Sequence, residues 1–355
     1  MKNITTLLLC LFGILTGVAQ TFTVDGLEYQ VTSTSPNEVA IIGGTPATTD
    51  LVIPQTVSDG TDTFTVTSVG NDAFRNLALT AVTIPPTIVT IGGNSFLDNQ
   101  LSSLLLPDGI TSIGQNAFVN NSIAGNLIIP NSVSSLGRAA FKDNQLESVI
   151  ISNAITLISE ETFESNQLTS VTLPTGLIEI DEDAFRDNQI ATLELPETVT
   201  IIQDRAFLNN QIASLVLPDG IVTIGGRSFQ NNQIPSLSIP DGITVVENQA
   251  FQSNEIVTLS LPEGLTTIGG NSFLNNQIGI LTLPASITDI GARAFESNPL
   301  NAINAVGNTP ATITTGANDT FGANRLAIDL TIPSASEAAY EAATWTGFNS
   351  INGSN

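Results

Sequence analysis

The residues best suited to chemistry in this chain are carboxylates that recur at a fixed spacing. Each one directly follows a proline, and successive members are 22 residues apart: Glu197, Asp219, Asp241 and Glu263. If the repeats stack at the spacing of neighbouring strands, about 4.8 Å, these side chains form a column. Carboxylate oxygens are ligands that Ca²⁺ prefers. The column predicts either a calcium site or a row of solvated turn acids, and no compact calcium-loop motif decides between them.

A second regular set consists of polar side chains ahead of the same prolines. Four residues before each proline the chain places Ser148, Ser170, Thr192, Ser214, Ser236 and Thr258. Two residues before it are Thr172, Glu194, Ser238 and Ser260, with Ile150 and Val216 at the same position in two further coils. Because strand side chains alternate between faces, both sets belong to one face, which could bind an extended partner. Serine and threonine also suit an exposed strand that binds nothing, and the lack of large aromatic or arginine side chains favours weak or multivalent contact.

The chain contains few of the residue types that catalyse reactions or bind transition metals. The chain has no histidine, and its one cysteine, Cys10, lies in an apolar run near the start. Imidazole and thiolate metal sites and nucleophiles paired with histidine are therefore excluded. Carboxylate pairs could support glycoside hydrolysis, but one tryptophan and two tyrosines provide no aromatic platform for sugar rings. The sequence predicts that the protein is not an enzyme.

The charge balance restricts the partners. There are 33 acidic and 9 basic residues, which gives a net charge of −24. Nucleic acid is excluded as a partner, because phosphate binding requires a positive surface. The remaining candidates are an extracellular protein, a cell-surface ligand or a polysaccharide.

The elements that position these residues follow from a repeat. Phenylalanines recur every 22 residues, with one interval of 23: Phe74, Phe96, Phe118, Phe141, Phe163, Phe185, Phe207, Phe229, Phe251, Phe273 and Phe295. A period in this range is typical of a solenoid, in which each unit buries its apolar face against its neighbours. The expected fold is a mainly β repeat solenoid of about eleven 22-residue coils with short strands.

One repeat shows how a coil is built. In Ala206 to Ile224, AFLNNQIASLVLPDGIVTI, the alternation of Leu215 and Leu217 predicts a short strand that Pro218 ends. Ile221 and Ile224 then return to the core. An asparagine three residues after every one of these phenylalanines except Phe74 predicts a stacked ladder whose amides bond the backbone. Its members are Asn99, Asn121, Asn144, Asn166, Asn188, Asn210, Asn232, Asn254, Asn276 and Asn298.

The segment Ile256 to Phe273, IVTLSLPEGLTTIGGNSF, resembles the leucine-rich repeats of the BspA type, with pattern L-x-x-L-x-L-P-x-x-[IL]-x-x-I-G-x-x-A-F. The resemblance covers about Ser68 to Phe321 and departs from the pattern where Ser152 replaces the proline and where one residue is inserted between Phe118 and Pro130. It implies a solenoid with a sheet on one side, secreted or carried on a bacterial surface, and associated with adhesion to proteins and other cells.

The chain divides into four predicted segments. Residues 1–19 form a short positive start, an apolar run and a small-residue cleavage site, typical of a signal peptide that directs export. Residues 20–68 form an N-terminal β-hairpin cap, residues 69–333 the repeat array, and residues 334–355 a C-terminal cap and tail. Ser334 and Glu337 have the spacing of a capping box before a short helix. No further stretch is apolar enough to span a membrane.

The predicted function is a secreted or cell-surface module for protein interaction or adhesion, acting through the exposed strand side chains. The alternative is an acidic extracellular matrix scaffold that binds calcium or polysaccharide. No cofactor other than calcium is expected.

Overall fold

Each 22-residue repeat forms one coil of a solenoid in the computed structural model, which describes residues 20–323 and 325–354. The predicted signal peptide, residues 1–19, lies outside the described residues. The solenoid has about 13 turns rather than about eleven, because degenerate segments at both ends also complete turns. The repeat solenoid predicted from the phenylalanine spacing is confirmed.

The N-terminal segment is a set of hairpins that leads into the array. It contains β1 (Thr21–Val24), β2 (Leu27–Thr34), β3 (Asn37–Gly44), β4 (Asp50–Val52), β5 (Thr56–Ser58) and β6 (Thr63–Val69). The turn between β1 and β2 is formed by Asp25 and Gly26, both with positive φ, as this tight hairpin requires. Strand β3 pairs in parallel with β6, and β6 in turn pairs in parallel with the first coil of the array.

The strands of the array form two rows, and most coils contribute one strand to each. The first row contains β4 and the strands that precede the prolines: β7 (Ala81–Thr83), β10 (Ala124–Ile128), β12 (Gln145–Ile150), β14 (Ser170–Thr172), β18 (Ser236–Ser238), β20 (Thr258–Ser260), β22 (Ile280–Leu283), β24 (Ala302–Ala305), β26 (Asp329–Pro333) and β27 (Ser350–Ser354). All pairings between these strands are parallel. The outward side of this row is called the strand face below.

The second row consists of two-residue strands about five residues after each proline. They are β8 (Thr90–Ile91), β9 (Ser112–Ile113), β11 (Ser135–Leu136), β13 (Leu157–Ile158), β15 (Glu179–Ile180), β16 (Ile201–Ile202), β17 (Thr223–Ile224), β19 (Val245–Val246), β21 (Thr267–Ile268), β23 (Asp289–Ile290) and β25 (Thr312–Ile313). The second residue of each is apolar, and in all except β25 it is fully buried. The core therefore lies between the two rows.

The coil that carries the inserted residue before Pro130 pairs with the next coil through a bulge. The register between β10 and β12 shifts between Gly125 and Asn126, and Gly125 adopts a φ of 76°. A bulge places one extra residue in one strand and leaves the pairing on both sides intact. The repeat thus regains its register by Leu127, which pairs with Val149.

The phenylalanines form a continuous stack at the corner between coils. Ring centroids of successive members lie 5.2–5.8 Å apart, with nearly parallel planes. Each of the eleven rings is completely buried. At the end of the array the stack continues to Phe321, 6.2 Å from Phe295.

The asparagine ladder predicted from sequence is present, although its members are not the left-handed residues. The side-chain amide of Asn210 donates a hydrogen bond to the backbone carbonyl of Phe185, whereas Asn209, one position earlier, has a φ of 58°. A second left-handed residue precedes each phenylalanine by two positions, as Arg205 does with a φ of 58°. Two such residues per coil turn the chain sharply around the phenylalanine. The one that follows the phenylalanine, equivalent to Asn209, is usually asparagine, aspartate or serine.

A helix and a cluster of aromatic side chains cover the last coils. Helix α1 spans Glu337–Ala342 and buries Tyr340, whose ring meets Trp345 edge-on at 5.3 Å. The predicted capping box is wrong: the N-cap residue is Ser336 rather than Ser334, and its side chain makes no cap hydrogen bond. Instead, Ser336 donates from Oγ to Oδ1 of Asn308, 3.2 Å away in an earlier coil.

Candidate interaction face

The polar residues predicted from sequence do lie on the strand face, in register from coil to coil. Ser148 pairs with Ser170, and Ser170, Thr192 and Ser214 are linked by isolated bridges. Ser236, in the coil after Ser214, pairs with Thr258 in the following coil. All six are exposed except Ser148, which is half-buried and donates from Oγ to Asn126 at 2.7 Å.

The four predicted residues closer to the proline point to the same side. Thr172, Glu194, Ser238 and Ser260 are all exposed. Regular pairing is interrupted at Thr192 and Ser214, where only single bridges remain. Two open depressions of about 340 Å³ and 360 Å³ lie here, and Val216 borders both. The structure therefore brings the predicted residues together as one exposed strip with shallow relief.

Three large apolar side chains lie on the same face, and of these only Ile150 was placed there from the sequence. Leu105, Ile128 and Ile150 stand two residues before the proline position in three consecutive coils, and they are 83%, 60% and 47% exposed. Ile128 and Ile150 are register partners in β10 and β12. Reading this position coil by coil would have identified Leu105 and Ile128 as outward-facing as well. These three residues are called the apolar column below.

The calcium candidates are turn residues in the structure. Glu197, Asp219, Asp241 and Glu263 are all exposed. Within residues 20–323 and 325–354, no group of three or more histidine, cysteine, aspartate or glutamate side chains is placed to hold a metal ion. Calcium at this column would need ligands from another molecule or from water.

A separate group of charged residues lies beside the phenylalanine corners of four neighbouring coils. Glu161 accepts from Arg138 at 2.5 Å and from Lys142 at 2.8 Å, and Lys142 also lies 2.7 Å from Glu164. Burial raises the pKa of Glu161, but the hydrogen bonds from Lys142 and Arg138 outweigh it and leave that pKa below its ordinary value. Glu164 is buried more deeply, and there burial dominates and raises the pKa.

The charge network continues into the next coils through buried Asp183. The Arg205 guanidinium binds both carboxylate oxygens of Asp183 and also contacts Glu182. Hydrogen bonding to Asp183 raises the pKa of Arg205 further above its ordinary value. Four of the nine basic residues of the chain serve this network: Arg138, Lys142, Arg186 and Arg205. Its charges neutralise one another across coils, which is an arrangement suited to holding the array together.

The strand rows, the phenylalanine stack and the asparagine ladder together define a leucine-rich repeat solenoid, a class that is generally non-catalytic. The family described as "BspA type Leucine rich repeat region (6 copies)" matches residues 67–191 and 178–303. These ranges cover more than half of the sequence, so the chain belongs to the BspA-type leucine-rich repeat family. No curated protein matches the sequence.

Three solved structures have the same architecture. A leucine rich cell surface protein from Faecalibacterium prausnitzii A2-165 is 22% identical, with a TM-score of 0.58 over 95% of each chain. A leucine-rich repeat protein from Bacteroides ovatus ATCC 8483 is 21% identical, with a TM-score of 0.60 over 93% of this chain and 88% of that one. The pneumococcal vaccine antigen PcpA is 18% identical, with a TM-score of 0.52 over 96% of this chain and all of that one. At these identities the likeness concerns the fold.

No helix among the described residues is long and apolar enough to cross a membrane.

Proposed function

We propose that the protein is exported and binds an extracellular protein or a cell-surface ligand through its strand face, in an adhesion role. The observation that carries this proposal is the apolar column, formed by Leu105, Ile128 and Ile150 on a face whose other side chains are mostly hydroxyls. A contiguous patch of exposed apolar side chains is typical of an interaction site. The cell-surface description of the Faecalibacterium prausnitzii neighbour is consistent with the proposed location.

The arrangement suits a partner that lies across several coils. The apolar column provides surface that gains free energy when it is covered, at about 25 cal/mol per Å². Hydroxyls at Ser170, Thr192 and Ser214 then supply hydrogen bonds at the regular interval of the coils. Since the strand face carries no arginine or tryptophan, affinity would come from repeated modest contacts and from multivalent presentation.

The test is a binding screen followed by a matched substitution. The purified protein is tested against extracellular matrix proteins, whole cells and a polysaccharide panel, with calcium and with chelator. The triple variant L105S/I128S/I150S replaces the apolar column by the serine that other coils already carry at this position, as at Ser238 and Ser260. We expect binding to a protein or cell ligand to weaken at least about tenfold, since buried apolar contacts dominate such interfaces.

The matched control is Val222→Thr, because Val222 is exposed on the second row, where neighbouring coils carry Thr200 and Thr244. It should leave binding unchanged. Binding of the triple variant equal to that of the natural protein would remove the apolar column from the interface. Binding seen only with polysaccharide, or only with calcium, would contradict the proposal and favour the matrix-scaffold alternative.

A further inference from the structure

A cavity of about 460 Å³ opens at the N-terminal end of the first strand row. Its apolar lining includes Leu27, Tyr29, Leu51 and Val57, which are buried in the folded chain. Leu51 belongs to β4, the first strand of that row. The cavity is thus a recess beside the first strand of the row, and Leu105 of the apolar column lies two coils further along.

Strand β4 has a free edge at this recess. It pairs with β7, and no other described strand pairs with it. Its contacts with β7 use the carbonyl of Thr49 and the N–H of Ile53. Because main-chain groups alternate along a strand, those of Asp50 and Val52 point away from β7.

Only one of these outward groups is satisfied within the described residues. The carbonyl of Asp50 accepts from Oγ1 of Thr48 at 2.9 Å. The N–H and C=O of Val52 have no partner among residues 20–323 and 325–354, and Val52 is 66% exposed. An unpaired edge of this kind is a ready template for another strand.

The chemistry of the lining restricts what could enter. Tyr29 lines the recess and is only 1% exposed. Burial and the nearby Asp25 charge raise its pKa to about 12, so the hydroxyl remains a donor. Asp25 and Asp50 line the cavity, and no basic residue lines it. The recess therefore favours an apolar group next to a positive charge.

We propose that this recess binds an extended peptide of a partner protein, which adds a strand to the free edge of β4. One large apolar side chain of the peptide enters the cavity, and lysine or arginine residues two positions away face Asp25 and Asp50. Side chains two positions apart share a face of a strand, which permits this combination. The site uses the free edge of β4 and the recess beside it rather than the outward side of the row, and it does not depend on the proposed function of the strand face.

A second copy of the chain is a poorer fit for the same edge. The strand that would continue the solenoid is β27, and it contains no basic residue. Each copy also carries a net charge of −24, which opposes end-to-end stacking. A peptide with positive charge is favoured by the same field.

The probe is the fluorescein-labelled peptide TKTLTKT, with fluorescence polarisation as the readout. We expect saturable binding that weakens at least about tenfold when the leucine is replaced by alanine or when the lysines are replaced by glutamate. Raising the salt concentration from about 0.05 M to about 0.5 M should weaken binding severalfold, since the charges are exposed and screened. N-methylation of the peptide backbone should abolish binding, because it removes the donors that β4 requires.

Three variants locate the site on the protein. Ala47→Trp places a large ring in the recess from an exposed position and should abolish binding. Ala213→Trp is the matched control on an exposed residue of a distant coil, and it should bind the peptide like the natural protein. Asp25→Asn should weaken binding severalfold and reduce its salt dependence, and asparagine tolerates the positive φ of this turn.

Absence of saturable binding up to about millimolar peptide, which is the weak limit for a specific contact, would overturn the proposal. Equal binding by the Ala47→Trp variant would overturn it as well. Dimerisation of the natural protein that Ala47→Trp abolishes would assign the recess to a second copy instead. None of these outcomes bears on the apolar column, which its own triple variant tests.

Discussion

The side-chain amide of Asn210 donates to the carbonyl of Phe185, 25 positions earlier and in the preceding coil, at 2.9 Å. The same amide nitrogen donates to the carbonyl of Phe207 in its own coil at 3.2 Å. Its oxygen accepts from the N–H of Ile190 at 3.0 Å. One buried side chain thus satisfies three main-chain groups and joins two coils, and the pattern recurs along the array.

Asn210→Ala should destabilise the protein by about 3 kcal/mol, because three buried main-chain groups lose a partner worth about 1 kcal/mol each. Chemical denaturation with a fluorescence or circular dichroism readout measures this change. The control is Gln211→Ala: a glutamine recurs at this position in most coils, and Gln211 is exposed and makes no side-chain hydrogen bond to a described residue. A loss no larger for Asn210→Ala than for Gln211→Ala would show that the ladder adds no stability.

Phe229→Ala tests the ring stack. Phe229 is fully buried and lies 5.4 Å from Phe207 and 5.6 Å from Phe251. Removing the ring should cost about 3 to 5 kcal/mol of unfolding free energy, as large-to-small changes in a core do. Val216→Ala, on the exposed strand face, should change stability by less than about 0.5 kcal/mol. An unchanged melting temperature for Phe229→Ala would contradict the role of the stack as core.

The solenoid could be predicted from sequence because phenylalanine, asparagine and the leucines repeat with little variation. Ile150 was placed on the strand face from the repeat, but Leu105 and Ile128 were not, because apolar residues replace polar ones at this position in only part of the array. The ion pairs around Asp183 depend on which side chains become superposed across coils. That register follows from the fold and is not visible in any single repeat.

The recess beside β4 could not be predicted from the sequence either. Residues 20–68 depart from the repeat, so no period indicates which of their strand edges remain unpaired. The edge of β4 is free because β3 pairs with β6 and not with β4, the next strand along the chain. Hairpin patterns predict local pairs such as β1 with β2, but they do not predict which strand is left at the start of a row.

Replacing any of three buried serines by alanine should raise the stability of the protein. Ser95, Ser228 and Ser272 precede their phenylalanines, are completely buried, and have no hydrogen-bond partner for Oγ. The equivalent residues in neighbouring coils are alanines, such as Ala206 and Ala250. Ser228→Ala should therefore stabilise the protein by about 1 kcal/mol, because it removes an unsatisfied buried hydroxyl without leaving a large cavity.

Thermal denaturation of Ser228→Ala, and of the triple variant at all three sites, measures this gain. The contrasting variant is Thr162→Ala. Thr162 occupies the same position in its coil but donates from Oγ1 to Ser159 at 2.7 Å, so its replacement should destabilise. A lower melting temperature for Ser228→Ala would indicate that its hydroxyl has a partner after all.

The adjacent carboxylates Glu160 and Glu161 should respond to pH in opposite directions. The pKa of Glu161 is lowered below its ordinary value of 4.5, since hydrogen bonds from Lys142 and Arg138 exceed the effect of burial. A group whose pKa falls on folding stabilises the native state above its unfolded pKa, and that contribution is lost as the pH falls through the folded value. Glu161→Gln should thus be less stable than the natural protein at pH 7.

This difference should shrink as the pH falls below about 4.5, where the carboxylate itself becomes protonated. Glu160→Gln is the matched control, because burial raises the pKa of Glu160 and its charge opposes folding at neutral pH. That variant should be slightly more stable than the natural protein at pH 7, with the difference again closing at low pH. Denaturant midpoints measured from pH 7 to pH 3 test both curves. Loss of stability in both variants at pH 7 would mean that Arg138, which contacts both carboxylates, outweighs burial at Glu160 as well.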